Sequence, residues 1–250
     1  MPALNGFNLW LVAIALNTLL LGVAAIAPKK LLTVAGYLHA WLLGVLVWGT
    51  LGWRGYTVVM VYFLVGSGIT RVGQAEKEAA GIAEQRGGRR GPENVWGSAF
   101  TATLCALGSL FVPSPWREWL VLGYVASFST KLSDTCASEV GKAYGKRTFL
   151  ITTLQPVARG TEGAVSLEGT LAGFLASVAI ALLGWGLGLV TPLGILWCVL
   201  AAFVATNAES AIGATVQERF AWLTNEVVNA INTTIGAVVA ILLAAIAARV

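Results

Sequence analysis

Apolar residues run along this chain in blocks of about twenty, the length a helix needs to cross a bilayer, and polar residues gather between the blocks or at their ends. The blocks fall at 7–27, 31–52, 55–71, 94–112, 117–141, 164–190, 192–210 and 225–247. Within them apolarity is continuous rather than alternating, which argues for helices and against a β-barrel. The pattern predicts an all-α, polytopic transmembrane bundle of about eight spans, organised as a single domain over residues 1–250. The first block starts without a basic leader or a clear cleavage site and reads as a retained span.

Composition sharpens this picture. Of the 250 residues 57% are hydrophobic and 11% charged, whereas soluble domains carry roughly 25% charged residues. Cys105, Cys136 and Cys198 are scattered and odd in number, so neither a disulfide framework nor a zinc site is expected. The single histidine, His39, lies inside an apolar block and reads as a packing residue or one partner of an interhelical hydrogen bond. Histidine-dependent triads and His-rich metal centres are therefore poor candidates.

With eight crossings, the connections near 28–30, 72–93, 142–163 and 211–224 share one membrane face. Twelve of the 16 lysines and arginines fall there, Lys29, Lys30 and Arg86 among them, while Arg54, Arg117 and Arg249 lie on the other face and Lys131 within a span. Excess positive charge marks the cytoplasmic side and puts both termini opposite. Topology and anionic headgroups account for the net charge of +4, and no nucleic-acid partner is called for.

Polar residues inside the blocks converge on the same face. From Lys131, Asp134, Thr135, Ser138, Glu139 and Lys142 follow at helical spacings that keep them in one stripe, with Ser127 extending it inward. Asn225, Asn229, Asn232, Thr233 and Gly236 form a second stripe on the last span, and Asn207, Ser210, Ala214 and Gln217 a third, with Glu209 off that face. Single asparagines or glycines commonly serve helix packing. A buried Asp with a Glu is costly in lipid and points to a wet interior and to function.

The connection RGTEGAVSLEGTLAG, 159–173, intersperses Glu162 and Glu168 with glycines, among them Gly163, and leads through Ser166 into the next helix. Such a stretch can hold a phosphate on backbone amides, although caps and close packing use the same residues. In GQAEKEAAGIAEQRGGRRGPEN a short surface helix precedes a basic turn at Arg86, Arg89 and Arg90. Arg71 and Lys77, nearer the membrane, are the preferred phosphate ligands of this region. GKAYGKRT, 141–148, approaches a nucleotide P-loop but has only three residues between its glycines, Arg147 in the hydroxyl position and no preceding strand.

Carboxylates among basic residues and glycines suit a Mg²⁺-bridged polyphosphate. An acceptor lipid phosphate would already be ionised, leaving positioning and charge neutralisation as the protein's tasks. The runs GSGITRVGQAEKEAAGIAEQRGGRRGPENVWGS, SFSTKLSDTCASEVGKAYGKRT, PVARGTEGAVSLEGTLAG, ESAIGATVQ and LTNEVVNAIN closely resemble the phytyl-phosphate kinases of photosynthetic organisms, across about residues 60–235. More distantly the chain is similar to CTP-using polyprenol kinases. The resemblance implies conversion of phytyl phosphate, with geranylgeranyl phosphate as a secondary candidate, to the diphosphate, in salvage of phytol for tocopherol and prenylquinones. It implies a nucleoside triphosphate co-substrate, CTP being plausible, and a thylakoid, inner or plastid membrane with the site on the cytoplasmic or stromal face.

On this reading Asp134 and Glu139, with Glu162, Glu168 or Glu209, hold Mg²⁺ and the triphosphate. Lys131, Arg71, Lys77 and Lys142 neutralise phosphates beside Gly163 and Ser166, and Asn207, Asn225 and Asn229 orient the acceptor or a metal-bound water. The partners are a prenyl-phosphate lipid and the bilayer itself. Two alternatives stay open: a transporter or carrier of a lipid phosphate, which charged stripes inside helices also fit, and another Mg²⁺-dependent lipid-phosphate enzyme such as a nucleotidyltransferase.

Overall fold

A computed structural model describes residues 6–28, 30–83 and 88–249; Lys29 and Arg86 lie outside the described residues. Eight α-helices follow in order: α1 (Gly6–Ile26), α2 (Val34–Ile69), the short α3 (Gln74–Ala79), α4 (Pro92–Gly108), α5 (Trp116–Tyr144), α6 (Leu167–Gly186), α7 (Pro192–Thr215) and α8 (Asn225–Ala247). Their starts are written in the sequence. Thr33, Ser166 and Thr191 each accept a hydrogen bond from the backbone N–H of a glycine three residues on, at 3.1 Å, and Thr224 accepts from Val227. These side-chain oxygens satisfy amides that a helix leaves unpaired at its first turn. Pro92 and Pro192 occupy first helical positions, where no N–H is missed.

Helix α2 is not straight. At Gly52, φ 63° and ψ −157° break the helical backbone, a conformation open to glycine alone. Both of its ends lie near Arg90: Thr33 N–H donates to the Arg90 carbonyl at 3.0 Å, and the Arg90 guanidinium donates to the Tyr62 hydroxyl at 2.9 Å. A continuous 36-residue helix would be ~54 Å long, so α2 must double back at Gly52. Trp48 and Tyr56 rings meet at 5.2 Å across the reversal. The two limbs correspond to the blocks expected at 31–52 and 55–71. Five helices, α1, α2, α6, α7 and α8, are long and apolar enough to cross a membrane. Helix α4 has 17 residues, and α5 carries Lys131, Asp134, Glu139 and Lys142 in its second half.

Helix α5 is the axis of the bundle and packs against α2, α3, α4, α6, α7 and α8. Its middle turns present Tyr124, Val125, Phe128 and Leu132 to a core completed by Val58, Ile180 and Cys198. Large apolar side chains on the outside of the bundle, such as Leu64, Leu175 and Leu242, are more than half exposed, as lipid-facing residues are. His39 accepts a 2.8 Å hydrogen bond from Trp96 Nε1, the interhelical contact expected of it. All three cysteines are buried and free.

One feature was not anticipated. Residues 164–166 do not open α6 but pair as a strand, β2 (Ala164–Ser166), antiparallel to β1 (Thr148–Leu150), with Thr148 opposite Ser166 and Leu150 opposite Ala164. This ribbon folds the connection back over the end of α5 and seats Gly163 and Ser166 there. Among the described residues these two three-residue strands are the whole of the sheet.

Small residues set the helix spacing. A Cβ built on Gly173 would lie 2.8 Å from the Ser133 carbonyl oxygen, whereas one on Gly186 meets nothing within 4 Å. Gly173→Val should therefore destabilise the bundle by about 1–3 kcal/mol and lower its thermal unfolding temperature in detergent, while Gly186→Ala leaves that temperature unchanged.

Candidate functional site

The charged half of α5 forms one wall of a cavity of about 750 Å³ that lies between α5, α6, α7 and α8 and is roofed by the residues before α4 and by the 160–166 segment. Asp134 stands ten residues before the end of α5, so the cavity reaches ~15 Å below that end. The site is sunk into the bundle rather than placed at its surface.

At the base, Lys131 Nζ donates to Asp134 Oδ2 and to Asn229 Oδ1, both at 2.5 Å. Lys131, Asp134 and Asn229 are each less than a tenth exposed. The carboxylate of Glu209 on α7 lies within hydrogen-bond reach of Asp134 and accepts from Asn232 Nδ2 at 2.9 Å. Five residues from three helices thus bring together two carboxylates and one ammonium. Two adjacent carboxylates repel, and one lysine offsets only one of them. A divalent cation with a preference for oxygen would relieve the remainder, and Glu162, near enough to act electrostatically on Glu209, is the next acidic group on the wall.

Glu139 takes a different part. It accepts a hydrogen bond from Lys77 Nζ, which also donates to the Thr70 carbonyl at 2.6 Å. Lys142 Nζ stands 3.8 Å from the other Glu139 oxygen and also lines the cavity. Lys77 is fully buried and lies behind the wall rather than in it. The pair pins α3 onto α5, where Gly73, at φ 61°, comes close to Ala143.

The sequence places five carboxylates round one ion, and the structure divides them. Asp134 and Glu209 meet, Glu162 lies higher on the wall and Glu139 is turned toward two lysines. Glu168 is off the cavity, accepting from the Lys146 backbone N–H at 3.4 Å. Among the described residues no three His, Cys, Asp or Glu side chains are grouped closely enough to hold a metal ion by themselves. Asn207, Asn225, Gly163 and Ser166 line the cavity, whereas Arg71 is exposed and does not. Ser166 Oγ is engaged as the cap of α6.

Arg89 and Arg90 line the rim, where nearness to the membrane had favoured Arg71 and Lys77. Arg90 is held by tertiary contacts: a bridge to Leu32, the bond to Tyr62 and stacking 5.2 Å from that ring. Asn94 and Glu226, joined at 3.2 Å, and Ser98 also line the cavity without having been singled out. Asn94 spacing from Gly91 carries a local signal, since its side chain caps the Gly91 N–H at 2.9 Å; the link to Glu226 has none. The GKAYGKR run forms the last turn of α5 and its Gly145 terminus, preceded by helix and not by the strand a P-loop requires.

A polytopic helical membrane protein with a sunken, charged, one-ended cavity is the class this architecture defines. The model of the family described as integral membrane protein DUF92 matches residues 17–237, and the chain belongs to that family. It is 71% identical over 232 residues to an uncharacterized membrane protein of Synechocystis, covering 93% of this chain and 90% of that one. It is 46% identical over 238 residues to Protein VTE6, chloroplastic, of Arabidopsis thaliana, covering 94% of this chain and 72% of the relative. An uncharacterized membrane protein of Methanocaldococcus jannaschii is 31% identical over 236 residues, covering 93% and 95%. No solved structure matches.

Removing one member of a buried ion pair leaves the other charge stranded, at a cost of about 3–5 kcal/mol. Lys77→Met should thus sharply reduce the unfolding temperature and expose α3 to limited proteolysis, and the double variant Lys77→Met/Glu139→Gln should recover most of the loss.

Proposed function

We propose that the protein transfers the terminal phosphoryl group of a nucleoside triphosphate to a prenyl monophosphate, phytyl phosphate first and geranylgeranyl phosphate second, within phytol salvage toward tocopherol and prenylquinones. The observation that carries this reading is the Asp134–Glu209 pair beside Lys131 at the foot of a cavity whose rim is basic. The resemblance of the quoted motifs to phytyl-phosphate kinases suggests the substrate class, and the likeness to a chloroplastic protein fits a photosynthetic setting.

The donor set fits Mg²⁺: oxygen ligands from Asp134 and Glu209, with Glu162 adjacent, and substrate phosphates to complete the shell. When bound, the ion supplies neutralisation of phosphate charge. The rest falls to the chain. Lys131, fixed in position by Asp134 and Asn229, presents an ammonium to the phosphates where they meet, at low dielectric, where charge stabilisation is strongest. Arg89 and Lys142 at the rim suit the nucleotide's phosphates, and Asn207 and Asn225 can donate to the acceptor. An oxygen of the prenyl monophosphate attacks the γ-phosphorus while the bond to the β–γ bridging oxygen breaks, giving a prenyl diphosphate and a nucleoside diphosphate. The attacking oxygen is already ionised, so the absence of histidine from the cavity is no obstacle.

The basic groups Arg89, Arg90, Lys142 and Arg159 cluster at the cavity end, Arg159 donating to the Ala143 carbonyl, while Arg54 sits beside Gly188 at the other end of α6. That asymmetry supports an orientation with this end facing the cytosol or stroma, and the proposed count of eight crossings rests on the apolar blocks, α2 contributing two limbs.

Because Glu209 remains beside Lys131 to offset its charge, purified Asp134→Asn protein should keep its unfolding temperature within a few degrees and lose about 10²–10³-fold in kcat for transfer of γ-label from nucleotide to phytyl phosphate. Chelation of divalent ions should stop turnover and Mg²⁺ restore it. Nucleoside diphosphate as co-product in detergent, where no gradient exists, separates this reading from transport; pyrophosphate as co-product would reassign the protein as a nucleotidyltransferase, and full turnover by Asp134→Asn would remove that residue from the centre.

A further inference from the structure

The cavity does not end in protein on every side. Along α6 its wall is made by Ser166, Gly169, Thr170, Gly173, Phe174 and Ser177, a single stripe of the helix. Along α7 it is made by Gly213, Ser210, Glu209, Asn207, Thr206 and Phe203. Both stripes begin with small or polar residues at the cavity mouth; on α7 the stripe ends at Phe203, ten residues or ~15 Å deeper, and on α6 Phe174 lies eight residues or ~12 Å in, with Ser177 one turn further.

Depth can be read across the helices. A Cβ on Gly173 would touch the Ser133 carbonyl, and Ser129 Oγ donates to the Ser177 carbonyl at 2.9 Å, so Phe174 stands level with Lys131 and Asp134. Phe203 lies six residues below Glu209, hence ~9 Å deeper than the carboxylate pair. Phe174 is 48% exposed and Phe203 55% exposed, although both also line the cavity. Leu171, Leu175 and Val204 beside them are exposed apolar residues of the outer surface. The two phenylalanines therefore belong at once to the chamber and to the surface that faces hydrocarbon. That shared border between α6 and α7 is a slit-like seam, reaching from the depth of Lys131 to ~9 Å below it.

We infer that this slit admits the isoprenoid tail of a single-chain prenyl monophosphate from the lipid, holding the tail between Phe174 and Phe203 while its phosphate reaches Lys131. The inference rests on the phosphoryl-transfer reading above and assigns where its lipid substrate sits. Charge and polarity support one occupant. The inner end offers an ammonium and amides for a phosphate, and the outer end offers two aromatic faces and no charge. Close α5–α6 packing at Gly173 and Gly169, where an added Cβ would come within 2.8 Å of backbone, closes the α5 side of α6 and leaves the α7 side as the border the tail would use.

The test uses the full chain in nanodiscs with a photoreactive phenylalanine analogue at Phe174, at Phe203 or at Val238, an exposed residue of α8 at similar depth and away from the cavity. Illumination with radiolabelled phytyl phosphate, without nucleotide, should label the first two positions and not the third. Excess unlabelled geranylgeranyl phosphate should abolish labelling, and excess dioleoyl phosphatidic acid should leave it. Equal labelling at Val238, or displacement by phosphatidic acid, overturns the inference. In parallel, Phe174→Trp/Phe203→Trp should raise KM for phytyl phosphate about tenfold with kcat retained, and leave KM for a short, water-soluble prenyl monophosphate unchanged; an equal rise for both substrates overturns it. Cross-linking reads tail placement independently of turnover. Specific labelling without diphosphate formation would sink the kinase reading alone, and turnover without labelling would sink the slit alone.

Discussion

An ammonium and two carboxylates in the middle of an apolar bundle must gather where their charges offset one another, because neither lipid nor a dry helix interface tolerates them apart. That constraint organises the molecule. Lys131 and Asp134 lie on α5, Glu209 on α7, Asn229 and Asn232 on α8, so the three helices can associate in only one register. It also explains why α5 is central: a helix bearing four charged side chains in its second half needs neighbours on every side, and six other helices touch it.

A second buried pair, Lys77 with Glu139, applies the same rule nearer the surface. It ties the six-residue α3, too short to persist alone, to the end of α5. The rim of the cavity is then built on fixed parts: α3 on one side, the β1–β2 ribbon on another, and Arg90 locked between Leu32 and Tyr62 on a third. Glycines make the approach possible where these parts meet, as at Gly163, φ 75°, against the Ser210 carbonyl.

Apolar block length made the bundle legible from the sequence, and the doubling back at Gly52 was legible as two adjacent blocks. The α5 stripe was legible too, since helical spacing alone collects Lys131, Asp134 and Glu139. What spacing could not reveal was which way each charge turns. Glu139 shares the stripe of Asp134 yet faces Lys77, a residue 62 positions earlier. Glu209 lies off the Asn207–Ser210 face by angle, but α7 presents a broad side to the chamber, and Thr206, Asn207, Glu209 and Ser210 all reach it. Arg90 was undervalued against Arg71 because its neighbours in space, Leu32 and Tyr62, are remote in sequence. The β1–β2 ribbon escaped notice because three residues a side are too few for an alternating pattern to stand out.

Below Lys131 the interior changes character. Tyr124, Val125 and Phe128 are fully buried on α5, Ile180 and Cys198 close in from α6 and α7, and the Tyr124 hydroxyl is spent on the Gly55 carbonyl at 2.7 Å. This layer is a dielectric plug. A charged chamber sunk into an apolar bundle shortens the insulating path across it. Seated under the site, the plug restores an apolar stretch between the charges and the far end of the helices.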